Sequence, residues 1–174
     1  GPPPTPPPPP EQKSEIITSP DNNGFYQVLT VIDGDTIYVN VGGNSESVRL
    51  IGVDTPEIAR ENQPLECFGL EASNKTKELL ENQRVRMEAD ESQSDRDQFG
   101  RLLRFVFLED GTNFNELLVR EGFAHELTYD GEYKYRNQFI IAQTTAQNEG
   151  LGLWRDGACE TTKLDKTGLS YIMQ

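Results

Sequence analysis

Histidine is nearly absent from this chain: His125 is the single instance in 174 residues. One imidazole excludes catalysis by paired histidines and a zinc site built from them, and leaves His125 a structural role. Cysteine is almost as scarce. Cys67 and Cys159 form no Cys-x-x-Cys pair, which excludes a thioredoxin-like motif and a cysteine zinc site. In an exported protein two such cysteines would pair, closing a loop of about 90 residues for up to roughly 4–5 kcal/mol in a chain-entropy picture. The alternative is two independent thiols. No long apolar run occurs, so neither a membrane span nor a signal-peptide core is present in the chain as given. Basic residues are outnumbered, 16 Lys and Arg against 29 Asp and Glu, for a net charge of −13. The segment through Gly24 carries −2 of that and the segment from Asp156 carries −1, which leaves −10 on the body. Such a field repels nucleic acid at long range. A nucleic-acid partner would have to be held by a bound cation and a local basic patch. The acidity also suits a salty or calcium-rich medium.

What is plentiful at the start is proline. The first ten residues, GPPPTPPPPP, cannot form a core and read as an extended, semi-rigid spacer. A linker or truncated stalk fits them better than a ligand for a proline-binding domain. Polar residues continue the spacer to Gly24. The expected organisation is a proline-rich linker at 1–24, one domain at 25–155 and a C-terminal tail at 156–174. A chain that opens on such a spacer implies a signal, an anchor or another domain upstream, and hence an extracellular or cell-surface location.

The chemistry concentrates between Val31 and Glu57, VIDGDTIYVNVGGNSESVRLIGVDTPE. Asp33–Gly34 signals a tight turn, because Gly tolerates positive φ and Asp bonds its own backbone. Ile37, Val39 and Val41 alternate as a strand, Gly42–Gly43 turns the chain again, and Val48, Leu50 and Val53 mark a third strand. Arg49 falls out of phase with Val48 and Leu50, so its guanidinium leaves one side of the core. Pro56 ends the strand and stiffens the exit loop that carries Asp54, Thr55 and Glu57. Asp35 and Asp54 converge if their strands are neighbours, about 5 Å apart. Two carboxylates that close need a cation or a proton. With a backbone carbonyl and water they offer what a hard cation such as calcium takes. Arg49 adds a fork of donors matched to phosphate oxygens. Acid, base, metal and arginine together describe phosphodiester cleavage.

The strings IDGDT, VRLIGVDTPE, FGLEAS, DQFGR, LVREGFA and GLW, in that order, resemble the staphylococcal nuclease (thermonuclease) family over roughly Phe25 to Arg155. The resemblance implies an α+β fold, a five-stranded OB-fold β-barrel with three helices, and a calcium-dependent nuclease acting on DNA or RNA. A monomer is expected. Carried over by residue, Asp35 and Asp54 would bind calcium through carboxylates and Thr55 through its carbonyl oxygen. Glu57 would be the general base, Arg49 and Arg101 would grip the phosphate, and Asp33 would stand behind the metal ligands. The family commonly has tyrosine where this chain has Phe99, so a hydroxyl near the substrate is missing. In the family a loop supplies tyrosines that stack on the base. Here Tyr129, Tyr133 and Tyr135 are spaced differently, and no single ring is assigned.

The remaining elements follow from periodicity. Leu65 to Gln83 reads as a helix with Phe68, Ala72, Thr76 and Leu79 on its inner face. Arg84 to Ala89 alternates as a strand, Asp90 to Gln98 is a polar turn or loop, and Leu103, Phe105 and Phe107 mark another strand. Asn113 with Glu116 three residues on predicts a helix start, with Gly122 as its stop. A last helix spans about Tyr133 to Glu149, and Leu153 and Trp154 pack back on the body. Two other functional classes compete with the nuclease. A non-catalytic, nuclease-like interaction module would not need Asp35, Asp54, Glu57, Arg49 and Arg101 together. A plain single-strand binder would need a basic groove, which the charge opposes.

Overall fold

Alternation of apolar residues and tight turns builds the first half of the protein. The structure is a computed structural model that describes residues 21 and 23–159, and the backbone of 161–164 and 170–173. The proline-spacer and linker readings of residues 1–20 lie outside them. In chain order the elements are β1 (Tyr26–Asp33), β2 (Thr36–Val41), β3 (Asn44–Leu50), β4 (Val53–Asp54), α1 (Gly69–Leu80), β5 (Arg84–Glu88) and β6 (Leu102–Phe107). There follow α2 (Phe114–Arg120), β7 (His125–Glu126), α3 (Arg136–Glu149), a 3-10 turn at Gly152–Trp154, and β8 (Thr161–Leu164) hydrogen-bonded antiparallel to β9 (Ser170–Met173).

Strands β1, β2, β3, β6 and β5 close into a barrel in that order. All its pairs described are antiparallel except β3 with β6, which run parallel with Arg49 opposite Leu103. Gly42 and Gly43 both take positive φ, 62° and 88°, the pairing a two-residue hairpin needs to match strand twist. Val28, Ile37, Val39, Val48, Leu50, Val85 and Phe105 fill the interior and are almost wholly buried. Helix α1 packs on β1, while α2 packs on β6 and α3. A closed barrel leaves no free edge, so the site can be mounted on a stiff wall. The barrel and its three helices agree with the α+β, OB-fold reading of the sequence.

Several boundaries differ from the expectation. The third strand ends at Leu50, because Gly52 turns the chain at φ 79° and Val53–Asp54 pairs with β7 rather than with the barrel. Helix α1 begins only at Gly69, after Phe68 takes a left-handed φ of 70°, and stops at Leu80. Leu80 rather than Leu79 completes its buried face. Helix α3 starts at Arg136, with Tyr135 at its cap, and Gly150 ends it in the left-handed region. For α2 the Asn113 side chain does accept the Glu116 N–H, at 3.2 Å. Trp154 packs edge-on against His125, ring centroids 5.0 Å apart.

Candidate active site

The β1–β2 hairpin presents the acids. Asp33 pairs with Thr36, so the two turn residues are Gly34 and Asp35 rather than Asp33 and Gly34. Gly34 is not needed there for a positive φ. A Cβ at Gly34 would come within 2.8 Å of the Thr55 side chain, so the turn needs glycine for close approach. Thr76 on α1 donates to the Gly34 carbonyl at 2.7 Å and locks the turn to the helix.

Asp35 is buried and heavily bonded. It accepts the Thr55 N–H at 3.1 Å and the Thr36 hydroxyl at 3.1 Å, and Arg49 Nη2 lies 3.2 Å from its Oδ2. Burial alone would raise its pKa, but the Arg49 guanidinium and these hydrogen bonds outweigh it and hold the group below its ordinary value. Arg49 is itself aimed by two backbone carbonyls, donating through Nη1 to Leu50 O at 2.8 Å and Val53 O at 2.7 Å. Its Nη2 also reaches Asp54 Oδ1 at 3.7 Å. The register Asp54–His125 in the β4–β7 ladder fixes where Asp54 stands. Glu57 follows Pro56 in the exit loop, where its carbonyl accepts the Glu66 N–H at 2.9 Å.

Asp35, Asp54 and Glu57 come together: one carboxylate oxygen from each lies within 4.8 Å of the others. Carboxylate oxygens held that close offer a metal ion three hard ligand atoms. Burial, and then the charge of Asp35, raises both Asp54 and Glu57 above the ordinary carboxylate range. A nearby cation relieves that repulsion. Asp33 sits behind the group. Its carboxylate accepts the Asp35 N–H at 3.2 Å and meets Arg60 Nη2 at 2.8 Å. Burial and the neighbouring Asp35 charge raise Asp33, since Asp35 keeps its own charge against Arg49.

Arg101 and Arg49 both line a cavity of about 360 Å³ together with Phe99, Leu127, Tyr129 and Tyr133. Asp97 holds Arg101 in place, accepting from its Nε at 2.7 Å and from its backbone N–H at 3.0 Å. The Phe99 ring, 72% exposed, lies under the same guanidinium at 5.3 Å. Of the three tyrosines, Tyr133 donates to Glu126 at 2.9 Å and Tyr135 donates to Glu88 at 2.8 Å, and both pack on Phe105. Tyr129 is 87% exposed on the cavity rim. A second cavity, about 510 Å³, lies against Asp54 and Thr55 and is walled by Glu66, His125, Trp154 and the Cys67–Cys159 pair. The structure joins those cysteines by a disulfide, Cα atoms 5.4 Å apart.

Three residues that serve the site escape a linear reading. Asp97 opens the DQFGR string four residues before Arg101, but its role as that arginine's anchor shows only in the fold, and nothing local marks Arg60 as the partner of Asp33. Asn115 is buried in α2, where it accepts from Val106 N at 3.0 Å and donates to Ile51 O at 2.9 Å and Arg104 O at 3.2 Å. It thereby fixes the turn that leads from Arg49 to Asp54. Its place three and four residues before the apolar Leu118 and Val119, on one helix face, is its only sequence signal.

Residues 47–156 match the family described as staphylococcal nuclease homologue. The chain is 44% identical over 133 residues to a thermonuclease of Staphylococcus hyicus, covering 76% of this chain and 77% of that one. It is 46% identical over 129 residues to a thermonuclease of Staphylococcus intermedius, covering 74% and 75%. With endonuclease YncB of Bacillus subtilis the identity is 35% over 133 residues, covering 76% of this chain and 62% of the relative. The chain belongs to the staphylococcal nuclease family.

Proposed function

We propose that the protein is a calcium-dependent nuclease that hydrolyses DNA or RNA, with Glu57 as general base and Arg49 and Arg101 on the phosphate. Its standing as a hydrolytic nuclease follows from the family. The observation that carries the metal and the residue roles is the meeting of Asp35, Asp54 and Glu57 within 4.8 Å, with Arg49 beside them. An interaction module has no use for three carboxylates held together against their repulsion.

Asp35 and Asp54, with the Thr55 carbonyl, would hold calcium, which when bound supplies Lewis-acid polarisation of a phosphate oxygen. The chain's own residues do the rest. Glu57 takes a proton from the attacking water. Arg49 is held by two carbonyls and Arg101 by Asp97, so both forks are oriented before the phosphate arrives. Preorganised donors of this kind stabilise charge as it grows on the phosphorus oxygens. Tyr129 is the tyrosine that supports a stacking role, because its ring is exposed on the cavity that Arg49 and Arg101 share. The disulfide supports an oxidising, exported location. No helix among the described residues is long and apolar enough to cross a membrane. We propose a monomer, acting alone on its substrate.

The test is digestion of DNA and RNA with calcium, with magnesium, and with chelator, the metal content being checked in each case. Calcium should support cleavage and magnesium should substitute poorly, since magnesium demands a small, regular octahedron. Undiminished digestion in chelator contradicts the reading.

A further inference from the structure

We propose that the Cys67–Cys159 disulfide is a positioning element for Glu57, so that its reduction lowers turnover while the barrel stays folded. The inference rests on the nuclease reading with Glu57 as base. It begins from the loop that returns from Glu57 to α1. There the Glu66 N–H donates to the Glu57 carbonyl at 2.9 Å, and the Gly69 N–H donates to the Glu66 carbonyl at 3.0 Å. Gly69 lies so close that a Cβ there would stand 2.4 Å from the Glu57 carbonyl oxygen. The backbone of Glu57 is therefore gripped by residues 66–69, and Cys67 is in the middle of that grip.

The grip is not one the chain adopts unaided. Phe68 has φ 70°, a region that costs a non-glycine residue about 1 kcal/mol or more and persists only when surroundings impose it. Two things impose it here: the Phe68 ring against Phe123, centroids 5.5 Å apart, and the bond from Cys67 to Cys159. The far end of the bridge is anchored in turn. Cys159 follows the 3-10 turn, whose Leu153 N–H donates to Gly122 O at 2.8 Å, and Trp154 there packs on His125, the strand partner of Asp54. The bridge thus spans from the backing of Glu57 to the backing of Asp54 and walls the cavity that touches Asp54 and Thr55. The barrel core is packed without it: Val28, Val39, Val48 and Phe105 are fully buried in the hydrophobic cluster, which contains neither cysteine. Both half-cystines are exposed, so a reductant can reach them.

Reduction is a two-electron exchange. A thiolate of a dithiol reductant attacks one bridge sulfur, the mixed disulfide resolves through its second thiol, and the reductant leaves as its own disulfide. Cys67 and Cys159 end as two thiols, and residues 66–69 are no longer tied to the C-terminal side.

The experiment compares the full chain oxidised, reduced with dithiothreitol, and as the Cys67→Ser/Cys159→Ser double variant. It measures kcat and KM together with amide hydrogen exchange at Glu66, Val28 and Val39. Reduced protein and double variant should lose far more exchange protection at Glu66 than at Val28 and Val39, where only the lower global stability is felt. Their kcat should fall on the order of 10- to 10²-fold, the scale of a displaced catalytic group, with KM little changed. The double variant should no longer respond to reductant. An unchanged kcat, retained protection at Glu66, or a loss of protection at Val28 and Val39 as large as at Glu66 would each overturn the proposal, the last by making the bridge a staple of the whole fold. If the oxidised protein cuts no nucleic acid, the nuclease reading fails instead, and exchange at Glu66 still reports whether the bridge holds the Glu57 loop.

Discussion

Arg49 shows how much one side chain does here. It neutralises Asp35, approaches Asp54 and is fixed by two carbonyls, all with one planar group. Lysine has no fork and cannot satisfy two carbonyls and two carboxylates at once. Arg49→Lys and Arg101→Lys are expected to lower kcat/KM on the order of 10²-fold each, the cost of losing one preorganised donor in an active site. Steady-state kinetics at saturating calcium checks this, and full turnover in either variant shows that charge alone matters. Arg49 was legible from the sequence because it breaks phase with Val48 and Leu50. Its dependence on the Val53 carbonyl was not, since that contact exists only because Gly52 turns the chain.

At the scale of elements, the site depends on how closely hairpin, exit loop and helix approach. Gly34→Ala places a methyl group against Thr55, and the hairpin or the exit loop must move. Overpacking of that kind costs about 1–3 kcal/mol, so calcium affinity should weaken by about tenfold or more, read by calorimetric titration. Asn115→Ala leaves the Val106 N–H and the Ile51 and Arg104 carbonyls without that partner. Stripping a buried network of this sort should cost about 2–4 kcal/mol, seen as a lower denaturation midpoint at unchanged m. Strands were readable because alternation is local. The break between β3 and β4 was not, because β4 pairs with β7, some 70 residues further on. The late starts of α1 and α3 were hidden for the same reason: their N-terminal residues follow good helical spacing, but Phe68 and Tyr133 answer to tertiary packing instead.

For the whole molecule, two pH and salt responses follow. Burial, together with a hydrogen bond to Glu126, raises the Tyr133 phenol well above its ordinary value. The neutral phenol is favoured in the fold, so its contribution is complete below the unfolded value of about 10 and is lost as pH rises past it. Alkaline unfolding should therefore steepen above that pH, and Tyr133→Phe should flatten the slope; an equal slope in both proteins contradicts the assignment. The body's charge of −10 repels a polyanion at long range, while attraction is confined to the site. Raising salt from about 10 mM to about 0.1 M shortens the Debye length from ~30 to ~10 Å and should raise kcat/KM on duplex DNA, where a basic binder would lose affinity. A steep fall over that range contradicts a repulsive body. The acidic balance was plain in the sequence. That it coexists with two oriented arginines on one cavity required the fold.

As the proposed base, Glu57 stands beside a calcium held by others, although its carboxylate lies close enough to share the ion. Glu57→Gln keeps the shape and removes the proton acceptor. Measured at saturating calcium, with calcium affinity titrated in the same preparation, the variant should lose about 10²–10⁴-fold in kcat and bind calcium nearly as wild type. A wild-type kcat, or a loss that disappears once more calcium is supplied, would contradict that role.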